Sequence, residues 1–258
     1  LLRAQGYLGM RMPAEFGGGD FDLSTYCLVL EEFSRSHRMF TLMLDATSGL
    51  NPIAIARFGS RAQQEKYLAG LCAGTLHASF ALTEPGAGSD AQAIKTRAQP
   101  CGDGWVLNGR KHYISGAHLA NVVLVMAVTD PEKRGRGGIT AFLVDSSTPG
   151  FSVTRVDTTI GSDPIKLAEL SFDDCELPAG AVLGEVGQGF KVAMESLTSG
   201  RMGVACSCLG AADRLLEMSA AYAKERSTFG KPLADRQAIQ WMLADSATEL
   251  AMARALTY

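Results

Sequence analysis

The 258 residues contain no apolar stretch long enough to span a bilayer; the longest hydrophobic runs are broken by charges or glycines. The expectation is a chain without membrane insertion. Basic runs are also missing, and 24 Lys and Arg against 27 Asp and Glu leave a net charge of -3, which argues against a nucleic-acid surface. Ligand-like spacing is absent from Cys27, Cys72, Cys101, Cys175, Cys206 and Cys208, and from His37, His77, His112 and His118. No metal site is expected, and the thiols read as reduced in a reducing compartment. Cys206 and Cys208, two apart, point to different helix faces and are expected to pack as small hydrophobes. The chain begins without Met or a targeting pattern and stops at Tyr258 inside a helical pattern without a cap. It therefore reads as part of a longer protein, placed in a bacterial cytoplasm ahead of a mitochondrial matrix. What remains is ordinary globular composition, 47% hydrophobic and 20% charged, long enough for one large domain or two to three small ones.

The periodicity changes twice along the chain. Helical signals run from Leu1 to about Gly74. Leu23–Arg35 carries Leu23, Cys27, Leu30 and Phe33 on one side, with Asp22 or Ser24 as cap. Thr41–Phe58 reads as a second apolar helix, bent near Pro52 and closed at Gly59. Ser60-Arg61-Ala62-Gln63 forms a capping box for a third, Arg61–Leu71. From His77 to about Leu183 the period is two. Trp105–Leu107 and His112–Ile114 flank Asn108-Gly109, a hairpin cue. Val122–Val128 and Ile139–Val144 read as strands buried on both faces, followed by Phe151–Val156 and Leu167–Phe172. Strands at this spacing suggest an antiparallel barrel or sandwich. Helix resumes over Phe190–Lys224, where Gly200, Gly203 and Gly210 each cost about 1 kcal/mol against Ala. They mark either close approach by a backbone or ligand, or a break near Gly200. Ser227–Leu233 reads as a loop, and Asp235 as the cap of a last helix.

Three segments carry chemistry. Phe80–Asp90 reads Phe-Ala-Leu-Thr-Glu-Pro-Gly-Ala-Gly-Ser-Asp, a buried strand entering a tight hydroxyl-lined turn. Gly86 and Gly88 let backbone amides approach a ligand, and Thr83 and Ser89 add side-chain donors and acceptors. Such a turn suits a polar heterocycle or an anion, and equally an ordinary surface loop. The second segment is Asn108–Gly116, and the third is Glu225-Arg226-Ser227-Thr228-Phe229-Gly230-Lys231-Pro232-Leu233 followed by Gln237. In order and spacing, the three resemble the two flavin segments and the ERxxFGxxL signature of the acyl-CoA dehydrogenase family, over nearly the whole chain.

The resemblance implies an α+β multidomain fold. An N-terminal helical domain would occupy residues 1–76, a middle antiparallel β-barrel that binds flavin 77–185, and an incomplete C-terminal helical bundle 186–258. It implies FAD and an acyl-CoA substrate: a carboxylate takes the α-proton while a hydride leaves the β-carbon for the flavin. Electrons would pass to an electron-transfer flavoprotein. Phe80, Leu82, Thr83, Gly88 and Ser89 would line the flavin, with Tyr113, Ile114 and Ser115 against its other face and pyrimidine end. Arg226, Thr228, Phe229 and Gln237 would reach the FAD of a partner subunit in a dimer or dimer of dimers, the arginine suiting a pyrophosphate. Ser89, Thr198 and Arg201 resemble the substrate groove. Most of the family carries its base beyond the position of Tyr258. A minority carries it one residue before the arginine matched by Arg201, where this chain has Gly200, so no base is assigned. The stretch from Gly200 to Ala212 and the segment Tyr113–Gly116 resemble the short branched-chain members. Three alternatives remain on sequence: an oxidase passing electrons to oxygen, a flavin monooxygenase of the same fold, and a binding module that keeps the fold without activity.

Overall fold

Asp22 starts the first long helix, α1 (Leu23–Ser34), its carboxylate accepting from the Thr25 amide at 2.7 Å and so satisfying an amide with no helical acceptor. The computed structural model describes residues 2–161 and 166–258. Contacts divide the chain into two units: one runs to Phe21 and includes Met43–Gly200, the other comprises Asp22–Leu42 and Arg201–Tyr258. The single helix expected over Thr41–Phe58 is two, α2 (Arg38–Ser48) and α3 (Leu50–Phe58). The break falls at Gly49, not Pro52. Proline sits in the first turn of α3, where an N–H has no helical acceptor to lose. Helix α4 (Arg61–Cys72) opens on the expected capping box of Ser60 and Gln63.

The middle region of the first unit is an eight-stranded sheet. Its strands are β1 (Ala78–Ala81), β2 (Arg97–Cys101), β3 (Gly104–Ser115), β4 (Val122–Val128), β5 (Ile139–Asp145), β6 (Phe151–Asp157), β7 (Leu167–Leu177) and β8 (Val182–Leu183). The order β6-β7-β3-β2-β4-β5-β8 ends in two edges, so the expected barrel is not closed. Nor is it wholly antiparallel, since β1 pairs with β4 in parallel, as β2 does at Arg97.

Side-chain alternation explains the unbroken apolar runs of β4 and β5. Val123, Val125 and Ala127 join Leu107, Phe142, Val144 and Leu170 in one core on one face. Val122, Leu124 and Met126 face the other way, onto Ile53 and Ile55 of α3 and Leu68 and Leu71 of α4. Each such side chain fully buried contributes about 1.5–3 kcal/mol, which makes these two strands the thermodynamic centre of the unit.

Asn108-Gly109 is not a hairpin turn. The turn is Gly102-Asp103, between paired Cys101 and Gly104, and β3 runs through Asn108. The Asn-Gly pair instead faces an extra residue in β7. Asp174, at φ 45°, exchanges two hydrogen bonds with the Asn108 amide group, at 2.8 and 2.9 Å. A side chain at Gly109 would meet Thr96. A second irregularity follows on β3, where one extra residue lies between Lys111 and Ile114.

Helix α5 (Gly189–Glu225) is unbroken for 37 residues, so no break occurs near Gly200. In the second unit its glycines admit α1: a Cβ at Gly203 would lie 3.0 Å from Leu30, and one at Gly210 would collide with the Glu31 carbonyl. Cys206 is buried as expected, but Cys208, on another face, is exposed. After α5 comes a small hairpin, β9 (Ser227–Thr228) and β10 (Lys231–Pro232), in place of the expected loop, then α6 (Gln237–Thr257). Asp235 does not cap α6. It lies in a 3-10 turn, and the residue before the helix is Arg236, whose side chain turns back to Thr228. Among the described residues no helix is long and apolar enough to cross a membrane.

One buried ion pair joins the loops of the first unit. Lys111 is fully buried on β3; its ammonium donates to Glu84 Oε1 at 2.8 Å and to the Leu82 carbonyl at 3.0 Å. Glu84, 6% exposed, also accepts from the amides of Lys95 at 2.6 Å and Thr96 at 2.9 Å. Burial pushes the Lys111 ammonium down to about 8, with Glu84 pulling against it. Burial also raises Glu84, but Lys111 and the donated bonds outweigh it and hold the carboxyl below its ordinary value.

Breaking a buried pair from one side leaves the other charge uncompensated, so Glu84→Gln is expected to cost about 3–5 kcal/mol in urea unfolding. Because the folded value of Glu84 is lowered, its contribution is present above the unfolded carboxyl value of about 4.3 and lost as pH falls through the folded one. The gap between wild type and Glu84→Gln therefore closes in acid; a gap unchanged at pH 3 would remove the pair from this role. Gly210→Ala tests the helix crossing: despite alanine's advantage of about 1 kcal/mol in a helix, overpacking is expected to destabilise by about 1–3 kcal/mol.

Candidate functional site

The turn after β1 is closed by its own backbone: Glu84 and Ala87 exchange amide bonds at 3.0 and 3.1 Å. That leaves Gly86 and Gly88 with nothing within 4 Å of where a side chain would begin. Thr83 is half-buried and Ser89 exposed, and neither hydroxyl has a hydrogen bond among the described residues. Open glycine backbone beside unengaged hydroxyls fits a flat polar ring.

The second segment is stitched to this turn. The His112 amide donates to the Thr83 carbonyl at 2.9 Å, one residue after Lys111 binds Glu84 and Leu82. Tyr113 occupies the extra position on β3 with φ 57°, a conformation uncommon for a non-glycine residue, and the residue is 57% exposed. Bulges re-aim side chains beside sites, and this one presents the tyrosine away from the core. Ile114, by contrast, is 2% exposed inside the sheet core, so its side chain supports the site from within. Ser115 is exposed, its carbonyl accepting from Ser79 Oγ at 3.0 Å. Leu82 is buried and Phe80 half-buried, both against the cluster shared with α3 and α4, so their side chains form apolar support.

The remaining predicted residues lie elsewhere in the chain. Thr198 is exposed on α5 and its hydroxyl bonds back to the Met194 carbonyl at 2.9 Å, as a mid-helix threonine does. Its neighbour Ser199 accepts from Arg11. Arg201 is exposed on α5. In the second unit Arg226 and Gln237 are exposed, and Thr228 accepts from Arg236 through its hydroxyl at 2.6 Å and its carbonyl at 2.8 Å. Phe229 sits at the hairpin tip with φ 51° and 99% exposure.

Sequence reasoning missed Lys111, His112 and Arg236. Lys111 shares strand parity with buried Leu107, a lysine at a core position, which was the available signal. Among the described residues no cluster of His, Cys, Asp and Glu could hold a metal.

Comparison with known proteins places these features. Residues 1–75 match the acyl-CoA dehydrogenase N-terminal domain, 79–175 the middle domain, and 187–258 the C-terminal domain. The chain is 42% identical to acryloyl-CoA reductase (NADH) of Anaerotignum propionicum, over 97% of this chain and 64% of that protein. It is 40% identical to human mitochondrial short-chain specific acyl-CoA dehydrogenase, over 98% of this chain and 61% of the relative. The structure of butyryl-CoA dehydrogenase from Megasphaera elsdenii superposes with a TM-score of 0.93 at 39% identity, covering 100% of this chain and 68% of that one. The chain thus spans less than two thirds of the two curated relatives' length. With all three domains matched in order, it belongs to the acyl-CoA dehydrogenase family, whose members are FAD-dependent oxidoreductases.

Proposed function

We propose that the whole protein is an FAD-dependent enzyme that interconverts a short or branched acyl-CoA and its 2-enoyl-CoA by α,β-dehydrogenation. The observation that carries this is the Thr83–Ser89 turn, open at its glycines, with hydroxyls unengaged and held by Lys111, two residues before exposed Tyr113 on the same strand. A glutaryl-CoA dehydrogenase of Mycobacterium smegmatis, 33% identical, was determined with FADH2, which supports the same cofactor here. Bound FAD supplies the hydride acceptor, which no side chain can.

The chain's own part is placement. Thr83 and Ser89 offer hydroxyls, and the backbone at Gly88 an amide, to the polar edge of the ring. Tyr113 covers a face, with exposed Ser115 beside it and buried Ile114 supporting the segment from the core. Phe80 and Leu82 exclude water from beneath. Arg226, with the planar fork that suits a pyrophosphate, reaches the cofactor of a second copy together with Thr228, Phe229 and Gln237. A phenylalanine 99% exposed and held at positive φ supports that assignment, because beyond the Arg236 guanidinium 5.8 Å from its centroid the ring buries almost no surface in the single chain. Ser89 and Thr198 of the first unit line the substrate groove. No residue of this chain is assigned as the base, and Gly200 has no side chain to serve. Glu84, saturated by Lys111 and two amides, is structural.

Electron-transfer flavoprotein is the proposed redox partner, supported by the 39% identical relative named caffeyl-CoA reductase-Etf complex subunit CarC. A second reading, the same chemistry run toward enoyl reduction, is favoured by that relative and by the acryloyl-CoA reductase, whose names both describe reductases.

Anaerobic titration of the whole protein with butyryl-CoA and isobutyryl-CoA is expected to bleach the oxidised flavin band. Re-oxidation of the reduced protein by crotonyl-CoA faster than bleaching by butyryl-CoA would select the reductase direction. Purified protein without flavin, and unable to take up added FAD, would overturn both. Arg226→Ala is expected to lower flavin content after gel filtration without unfolding the protein, the midpoint of the flavin-free form staying unchanged; full flavin retention would remove the partner-subunit role.

A further inference from the structure

The proposed site depends on a tyrosine in an unfavourable conformation, and the chain surrounds it with a charged clamp that the reaction does not require. Tyr113 at φ 57° stores strain of about 1–3 kcal/mol, which persists only where neighbours over-determine it. The neighbour in contact is His112. The two rings stack with centroids 3.8 Å apart and planes 13° from parallel, although they are consecutive residues. Consecutive side chains in a regular strand point to opposite faces; the extra residue between Lys111 and Ile114 is what brings these two together.

His112 is itself held from a different strand. Arg155 on β6 approaches His112 Nε2 at 2.8 Å. A guanidinium has only donors, so Nε2 accepts and the ring proton sits on Nδ1. Arg155 reaches this position through a bulge of its own: β6 carries one extra residue between Val153 and Arg155 opposite β7. The guanidinium is then fixed by Asp157, at 2.7 Å from Nε and 3.3 Å from Nη2, and by Glu169 of β7 at 3.4 Å. Two irregularities on two strands thus converge on one imidazole. His112 is only 15% exposed in its side chain, whereas the tyrosine on which it stacks is 57% exposed.

We infer that His112, held by Arg155 and through it by Asp157 and Glu169, is a positioning residue that fixes the plane of the Tyr113 ring before any ligand binds. Its consequence for flavin affinity rests on the functional reading above: a ring already ordered in the free protein loses less conformational entropy when the cofactor arrives.

The test has two arms on the whole protein carrying ring-labelled tyrosine, with Tyr113→Phe identifying the resonance. In flavin-free protein the Tyr113 ring signals are expected upfield, from the stacked imidazole. His112→Ala and Arg155→Met should return them toward the position of an unstacked tyrosine, while His112→Phe, which keeps a ring but cannot accept from Arg155, should leave them in between. FAD titration is then expected to show about tenfold weaker binding for His112→Ala and Arg155→Met, the size of one lost aromatic pair with its hydrogen bond, and a smaller loss for His112→Phe, which keeps the pair without the bond. Ring signals that do not move in either variant would overturn the clamp. Signals that move while flavin affinity stays unchanged would overturn its role toward the cofactor. A wild type that binds no FAD would defeat the functional reading, and the resonance arm would still decide whether the clamp sets the ring.

Discussion

A lysine with no exposed surface is the constraint on which the first unit's loops depend. Lys111 cannot leave its charge unpaired at that depth, so Glu84 must come to it, and the turn that contains Glu84 is thereby fixed. The carboxylate in turn takes the amides of Lys95 and Thr96, at the start of the chain that leads into β2. One ion pair therefore sets the mouth of β1, the approach to β2 and the middle of β3. Replacing such a pair with apolar residues is often neutral for stability, so its value here lies in register. Glu84 falls in the turn only if Lys111 falls one residue before the bulge.

That dependence explains which parts of the protein were legible. Helix starts were readable where one side chain closes a local bond, as at Asp22 and Ser60, because the partner is three residues away. Strands β4 and β5 were readable because both faces are buried and no polar residue interrupts them. Asn108-Gly109 misled because the same two residues serve a turn or a bulge, and the choice was made by Asp174, 66 residues on. Asp235 misled for a similar reason: the end of the hairpin engaged Arg236 and moved the helix start past the aspartate. The closed barrel failed at its ends, where nothing in a strand's own pattern says whether its outer edge finds a partner.

Of the candidate site, the motif segments were legible by resemblance and the couplings between them were not. Periodicity places Tyr113 in a strand, but its outward direction comes from an inserted residue that only the pairing with β7 reveals. Ile114, drawn from the same triplet, belongs to the core, so adjacent residues of one motif divide between support and contact. The glycines of α5 admit one consistent reading, since an interior glycine that costs helix stability is tolerated where another element needs the space, and Gly210 supplies it to the Glu31 carbonyl.

Strand β6 ends the sheet with most of its side chains exposed, so its outer edge offers backbone donors and acceptors to any passing strand. Open edges of this kind invite intermolecular pairing and aggregation, and proteins blunt them with bulges and charges. Arg155 and the extra residue beside it supply both at mid-strand. The irregularity that aims the arginine inward therefore also spoils the edge as a template for other chains, so a smoother, uncharged β6 would be less soluble even with its fold unchanged.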